Sequence, residues 1–285
     1  MTKLYGLCIA RDEADVIGEA LTHALGNCEK IICMDNMSSD ATWDIMQEMA
    51  ATHKGRIIAH ARIDEPFTDG LRARAYNAYH RELSSRDWWL RLDADEFLHE
   101  ASAPIIATAN AENADFIRAN QMNFFLTERD VVEGEQGLDD KSRPIALRRK
   151  YYRVNWREFR LFRNDPLIGW DIAIDPQFPQ GLSKQKIASR EIFNRHYGNR
   201  DAEQLKRRVA IRAGSASFAH VASEDWRQYV EPASRCHIYR PGDPVRYSPL
   251  VDFWPRRIGI EIAQRSQKLR RIASRLPAVL TGRAA

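Results

Sequence analysis

With 285 residues, 44% of them hydrophobic and 29% charged, the chain has enough apolar material to bury the core of one large domain, and the same mixture excludes disorder. A formal net charge of +4, concentrated toward the carboxyl terminus, is too small to mark a nucleic-acid-binding protein. No apolar run approaches the ~18 residues that cross a bilayer, and the four cysteines form neither a CxxC pair nor a zinc-finger ladder, so structural zinc and a disulfide framework are not expected.

Residues 3–10 are a short apolar run of strand length, standing where a signal peptide would carry a long apolar core, which points to a cytoplasmic protein. Asp12, Glu13 and Asp15 suit the positive end of a helix whose apolar positions recur as Val16, Ile17, Ala20, Leu21, Ala24 and Leu25. A second strand over 30–34 runs into Asp35-Asn36-Met37-Ser38-Ser39-Asp40, a turn whose last residues cap a helix over 41–51. Residues 56–61 read as a third strand, 70–83 as a helix and 88–92 as a fourth strand ending at Asp93. Strands alternating with helices imply a parallel sheet with right-handed crossovers, whose ligands bind beyond the carboxyl ends of the strands. Asp12, Glu13, Asp35, Asp93 and Asp95 all fall at such ends.

Beyond residue 100 the pattern weakens. A strand is expected over 114–119, an irregular or inserted stretch over 120–140, one or two half-exposed strands over 151–164, a strand over 189–197 and a helix over 202–213. The chain divides into a main domain, 1–235, and a basic amphipathic helical extension, 236–285. In that tail Ile258, Ile262, Leu269, Ile272, Leu276 and Leu280 share a helical face, while Arg256, Arg257, Lys268, Arg270, Arg271 and Arg275 lie mostly off it. Such a helix either packs on the domain or docks on an anionic membrane surface.

The strongest chemical signal is Trp88-Trp89-Leu90-Arg91-Leu92-Asp93-Ala94-Asp95-Glu96, an apolar strand that delivers two carboxylates two residues apart. At strand spacing alternate side chains point the same way, so Asp93 and Asp95 are expected to hold one hard cation, Mn²⁺ or Mg²⁺, between them. Such an ion bridges the oxygens of a diphosphate and neutralises charge on a departing nucleoside diphosphate. Asp35, where the second strand ends, is placed to accept hydrogen bonds from a ribose or a pyrimidine edge. Neither G-x-G-x-x-G nor G-x-x-x-x-G-K-[ST] occurs, which counts against dinucleotide oxidoreductases and P-loop enzymes.

Ala10-Arg11-Asp12-Glu13-Ala14, Asp35-Asn36-x-Ser38-Ser39-Asp40-x-Thr42 and Leu92-Asp93-Ala94-Asp95-Glu96-Phe97, in this order, resemble the family 2 glycosyltransferases of the GT-A fold. The resemblance implies a Rossmann-like nucleotide-sugar-binding domain with a mixed, mainly parallel central sheet, to which the tail adds a helical appendage. It also implies a UDP-sugar or related donor, a glycan or lipid-linked acceptor, inversion at the anomeric carbon and a metal at Asp93 and Asp95. Arg11, Glu13 and Asp35 would then surround the nucleoside, and Arg72 or Arg74, at the start of the third helix, would touch donor phosphate. Downstream, His196-Tyr197-Gly198-Asn199-Arg200-Asp201-Ala202-Glu203-Gln204 resembles the H-Y-x-x-R-x-x-E-Q segment of a bacterial branch of the family. By that match His196 reaches the metal or diphosphate, with Arg200 beside it as a phosphate partner.

An inverting transfer needs a carboxylate to take the acceptor proton. Glu158, Asp171 and Asp175 are the candidates, and Asp171 is preferred because its neighbour Trp170 could stack on a sugar ring. Basic and aromatic residues interleaved over 148–163 suit an acceptor groove for an acidic glycan or a lipid-linked phosphate. Two other functions stay open, a sugar-nucleotide nucleotidyltransferase, which normally carries a Gly-rich loop where Ala10-Arg11-Asp12-Glu13 stands, and a non-catalytic nucleotide-binding scaffold.

Overall fold

A computed structural model describes residues 2–213 and 225–252 of the chain. Strand β1 (Leu4–Ala10) is buried along its whole length, as an unbroken apolar run requires of a strand covered on both faces. Helix α1 (Ile17–Ala24) turns Ile17, Ala20, Leu21 and Ala24 inward, and β2 (Lys30–Asp35), α2 (Thr42–Thr52) and β3 (Ile57–Arg62) follow. The expected side-chain cap is absent, since the residue that opens α2 is Ala41, and Asp40 instead accepts from the backbone N–H of Thr42 at 3.0 Å from one position earlier. The helix expected over 70–83 is a 3₁₀ turn, the α-helix α3 (Arg72–Tyr79) and a second 3₁₀ turn.

Strands β4 (Trp88–Asp93) and β5 (Glu96–Leu98) are separated only by Ala94 and Asp95. Next come α4 (Ala103–Ala111), β6 (Phe116–Phe124), α5 (Glu128–Glu135), α6 (Ile145–Arg148), β7 (Tyr151–Arg163), β8 (Ile192–His196) and α7 (Ala202–Ala213). The stretch 120–140 is therefore not irregular. β6 runs through it to Phe124, and a capping box of Thr127 and Asp130 starts α5.

The strand order is β3-β2-β1-β4-β7-β6-β8-β5. β3, β2, β1 and β4 are mutually parallel, β6 and β8 are parallel, and β7 runs antiparallel to both β4 and β6. This is the α/β, Rossmann-like architecture with a mixed central sheet that the sequence implies. One core cluster packs α1 and α4 against one face through Ile17, Leu21, Ile105 and Ile106. A second packs α3 against the other face through Ala73 and Tyr76, together with Trp170 and Phe178 of the loop between β7 and β8.

The first part of the expected extension is built onto the sheet. β9 (His237–Ile238) pairs with β7, and Asp252, at the end of α8 (Pro249–Asp252), accepts from the backbone N–H of Val154 at 2.7 Å. Residues 253–285, where the basic amphipathic helix is expected, lie outside the described residues. Among the described residues no helix is long and apolar enough to cross a membrane.

Asn164 ties the two halves of the sheet to the chain that precedes β4. Its Nδ2 donates to the carbonyls of His80 and Leu83, and its Oδ1 accepts from the buried Trp89 Nε1 at 2.8 Å. Asn164→Ala strands that indole N–H in the core, and we expect a loss of about 2 kcal/mol, read as a lower urea midpoint with an unchanged m-value.

Candidate active site

The candidate site forms where the carboxyl ends of β1, β2 and β4 meet the curled edge of the sheet. Asp93 ends β4 with its side chain one-third exposed, and each carboxylate oxygen has its own guanidinium. Arg72, 1% exposed, donates to Oδ1, and Arg160 of β7 lies 3.0 Å from Oδ2. Burial would raise the Asp93 pKa, but Arg160 and Arg72 outweigh it and hold it at about 2. Arg72 and Arg91 share Asp69, at 3.1 and 2.9 Å. Arg160 also reaches Glu96 at 2.5 Å and Glu158 at 3.0 Å. Gln121 Nε2 donates to both of those glutamates at 2.9 Å, and burial lifts Glu96 to about 8 despite Arg160.

Asp95, one turn further, faces a different set. Its Oδ2 is 3.4 Å from His196 Nε2 and 3.7 Å from Arg200 Nη1. His196 Nδ1 meets Asn123 Oδ1 at 2.6 Å, and because that oxygen can only accept, the Nδ1 carries the hydrogen. Nε2 faces the Asp95 carboxylate, and although burial would lower the His196 pKa, Asp95 outweighs it and raises it, so the arrangement calls for a proton or a cation between the two. Two donors bound to one ion at about 2.1 Å stand roughly 3.0–3.4 Å apart, so this pair fits a hard divalent cation whose other positions are water or substrate oxygens. Among the described residues no group of three or more His, Cys, Asp or Glu could hold a metal. Gly198 guards this geometry, since a Cβ there would sit 2.8 Å from Arg208 Nη1 and 3.0 Å from the His196 ring.

At the end of β2, Asp35 is fully buried. Its Oδ2 accepts from Arg62 Nε at 3.0 Å and from the backbone N–H of Ser38 at 3.1 Å, while its buried Oδ1 has no partner among the described residues. The loop after β1 is locked onto the same region. Asp12, at a left-handed φ of 55°, accepts from the backbone N–H of Ser39 at 2.7 Å, and the backbone N–H of Glu13 donates to Thr42 Oγ1 at 2.8 Å.

The residues expected from the sequence are thus only partly brought together. Asp93 and Asp95 have separate partners, Arg72 and Arg160 for the one and His196 and Arg200 for the other, while the charge of Asp95 still acts on Asp93. Arg200 is fully buried, with Nε 2.7 Å from Asp15 Oδ2 and Nη2 on Glu13. Burial raises the Glu13 pKa to about 7 even so. Arg72 is bound to Asp69 and Asp93, Arg74 is exposed and paired with Glu65, and the exposed Arg11 lies 3.9 Å from Asp12.

Asp171 and Asp175 serve local turns. Asp171 accepts from the backbone N–H of Ala173 at 2.9 Å, and Asp175 accepts from that of Gln177 at 2.8 Å and pairs with Lys184 at 2.9 Å. Trp170 cannot stack on a sugar. It is 3% exposed, its indole donates to the Asp175 carbonyl, and its ring packs against Tyr76 and Phe162. Arg160, Gln121, Asn123 and Asp69 join the site without a signal in the sequence. Arg160 lies in the aromatic and basic stretch 148–163, but nothing in one sequence shows that it reaches Asp93.

No family model and no curated protein matches the chain. Among solved structures, it is similar to the mannosyltransferase PcManGT from Pyrobaculum calidifontis in complex with GDP-Man and Mn²⁺, with 15% identity, a TM-score of 0.40, and coverage of 76% of this chain and 68% of that one. A likeness of that strength assigns neither substrate nor site.

Arg200→Met leaves Glu13, Asp15 and Asp95 without their shared countercharge, and we expect a loss of about 3–5 kcal/mol near neutral pH. Without the arginine these carboxyls bind protons more readily folded than unfolded, so the deficit shrinks as pH falls from 8 to 5. Thermal unfolding of both proteins across that range checks it.

Proposed function

We propose that this chain is a glycosyltransferase that moves a sugar from a nucleotide-sugar donor to a glycan or lipid-linked hydroxyl, with a divalent cation at Asp95 and His196 and inversion at the anomeric carbon. The observation that carries the reading is the pair of unlike acidic positions flanking β1. In register, Asp35 lies beside Ala10 on one side of that strand and Asp93 beside Ile9 on the other. Two strand spacings separate them, about 10 Å, a span suited to a nucleoside at one end and its diphosphate at the other. The unpartnered Asp35 oxygen suits the N–H or O–H groups of a nucleoside.

Asp93 and Asp95 are both held below the ordinary carboxylate range by their cationic neighbours, so two ionised carboxylates stand in the region where the cation would sit. When bound, that cation supplies Lewis acidity to the diphosphate oxygens. The chain's own residues hold the nucleoside, keep His196 in its ligating tautomer through Asn123, and take the proton.

Of the three candidate bases the reading selects Glu158. Arg160 links it to Asp93, and its Oε2 has no partner among the described residues, whereas Asp171 and Asp175 are engaged in turns. In the transfer the acceptor oxygen bonds to the anomeric carbon as the bond from that carbon to the diphosphate oxygen breaks. The electron pair leaves with the diphosphate, and the hydroxyl proton passes to Glu158.

A nucleoside diphosphate with Mn²⁺ should raise the thermal midpoint of the protein, and EDTA, Asp95→Ala or His196→Ala should each abolish the shift. A wild-type protein indifferent to every nucleoside diphosphate in the presence of Mn²⁺ would sink the reading. Glu158→Gln should lower kcat for sugar transfer by about 10²- to 10⁴-fold while leaving the nucleotide-induced shift intact, and wild-type turnover would return the base assignment to Asp171 or Asp175.

A further inference from the structure

Trp156 stands on β7 with 53% of its surface exposed, which for the largest apolar side chain calls for an explanation. It lies directly opposite Gln121 of β6, and directly opposed residues of an antiparallel pair share a face of the sheet. Gln121 is the residue whose amide holds Glu96 and Glu158. Glu158 is two residues from Trp156 on the same strand and, by the alternation of a strand, on that same face. On the other side, Asn155 Oδ1 accepts from Asn123, whose own Oδ1 fixes His196. A register shift between Gln121 and Met122 leaves Asn155 as the extra residue of a bulge, a device that re-aims the side chains next to it. Trp156 therefore shares a face of the sheet with Gln121 and Glu158 and adjoins Asn155, which is linked through Asn123 to His196.

We infer that Trp156 and Glu158 form a saccharide-binding acceptor subsite. The inference rests on the transferase reading and deepens it. The flat, half-exposed indole covers the apolar C–H face of a sugar ring, while the free carboxylate oxygen of Glu158 accepts from a ring hydroxyl, the combination of one apolar wall and a few fixed polar atoms that small-molecule sites use. The occupant is a sugar and not the nucleobase, because the unpartnered Asp35 oxygen is on β2, three strands away from β7 across β1 and β4. Trp156 thereby takes the stacking role for which the buried Trp170 is unavailable.

The test is saturation-transfer NMR with methyl glycosides of glucose, galactose, mannose and N-acetylglucosamine on the full chain. We expect transfer to the ring protons of at least one glycoside in the wild type. The signal should fall to background in Trp156→Ala, survive in Trp156→Phe, and survive in Trp226→Ala, a control at a tryptophan far along the chain. A circular-dichroism spectrum and thermal midpoint matching the wild type establish that Trp156→Ala is folded. No transfer to any glycoside, or transfer that persists in Trp156→Ala, overturns the inference. Loss of the stabilisation by nucleoside diphosphate and Mn²⁺ in Trp156→Ala overturns it too, by assigning the ring to the donor. A glycoside signal that needs Trp156 in a protein indifferent to all nucleotides leaves the subsite standing and removes the transferase reading.

Discussion

Two residues close the sheet. Ala94 and Asp95 alone connect β4 to β5, yet three strands stand between those two in the sheet. Four strand spacings in a flat sheet amount to about 19 Å, whereas the three peptide steps from Asp93 to Glu96 reach no more than about 11 Å. The sheet must curl until its β5 edge comes back beside the end of β4. This short covalent span brings His196 of β8, Arg160 of β7 and Gln121 of β6 to the carboxylates that β4 delivers, and it turns a row of strand ends into a concave site.

The curl also sets the electrostatics. Carboxylates that would otherwise lie in solvent are crowded with guanidiniums in a largely buried cluster, where an uncompensated charge is expensive. Asp93, held by Arg72 and Arg160, and Asp95, facing His196 and Arg200, sit well below the ordinary carboxylate range, while Glu13 and Glu96 are pushed above it by burial.

How far this was legible in the sequence follows from the same geometry. Strands β1, β2 and β4 announce themselves because each is an apolar run buried on both sides, and that pattern locates Asp35, Asp93 and Asp95 at or just beyond their ends. β6 hides because Asn120, Gln121 and Asn123 interrupt its apolar pattern, and Gln121 and Asn123 are polar because they serve the site. α4 hides because Ala-Pro-Ile-Ile-Ala-Thr-Ala-Asn-Ala has no charged outer face to mark a helical period. The ground for preferring Asp171, a stacking ring at Trp170, does not hold, because adjacency in sequence is not shared exposure and Trp170 turns into the core. Arg160 is invisible for another reason. Its contact with Asp93 joins β4 and β7, which pair as neighbours in the sheet but are far apart in the chain, and no spacing rule reaches that far.

The two-residue connection between β4 and β5 also has a consequence for the order of assembly. The partner of Glu96 in the sheet is His196, a hundred positions later in the chain. On a ribosome β5 is therefore made early and stays unpaired until β8 emerges, with β6 and β7 formed in between. Long-range pairing of this kind is slow, because the closure of the intervening loop has to be achieved before the contact gives anything back. The half of the fold that contacts Asp35 can take shape first, and the site stays incomplete until β8, which positions His196, has been made.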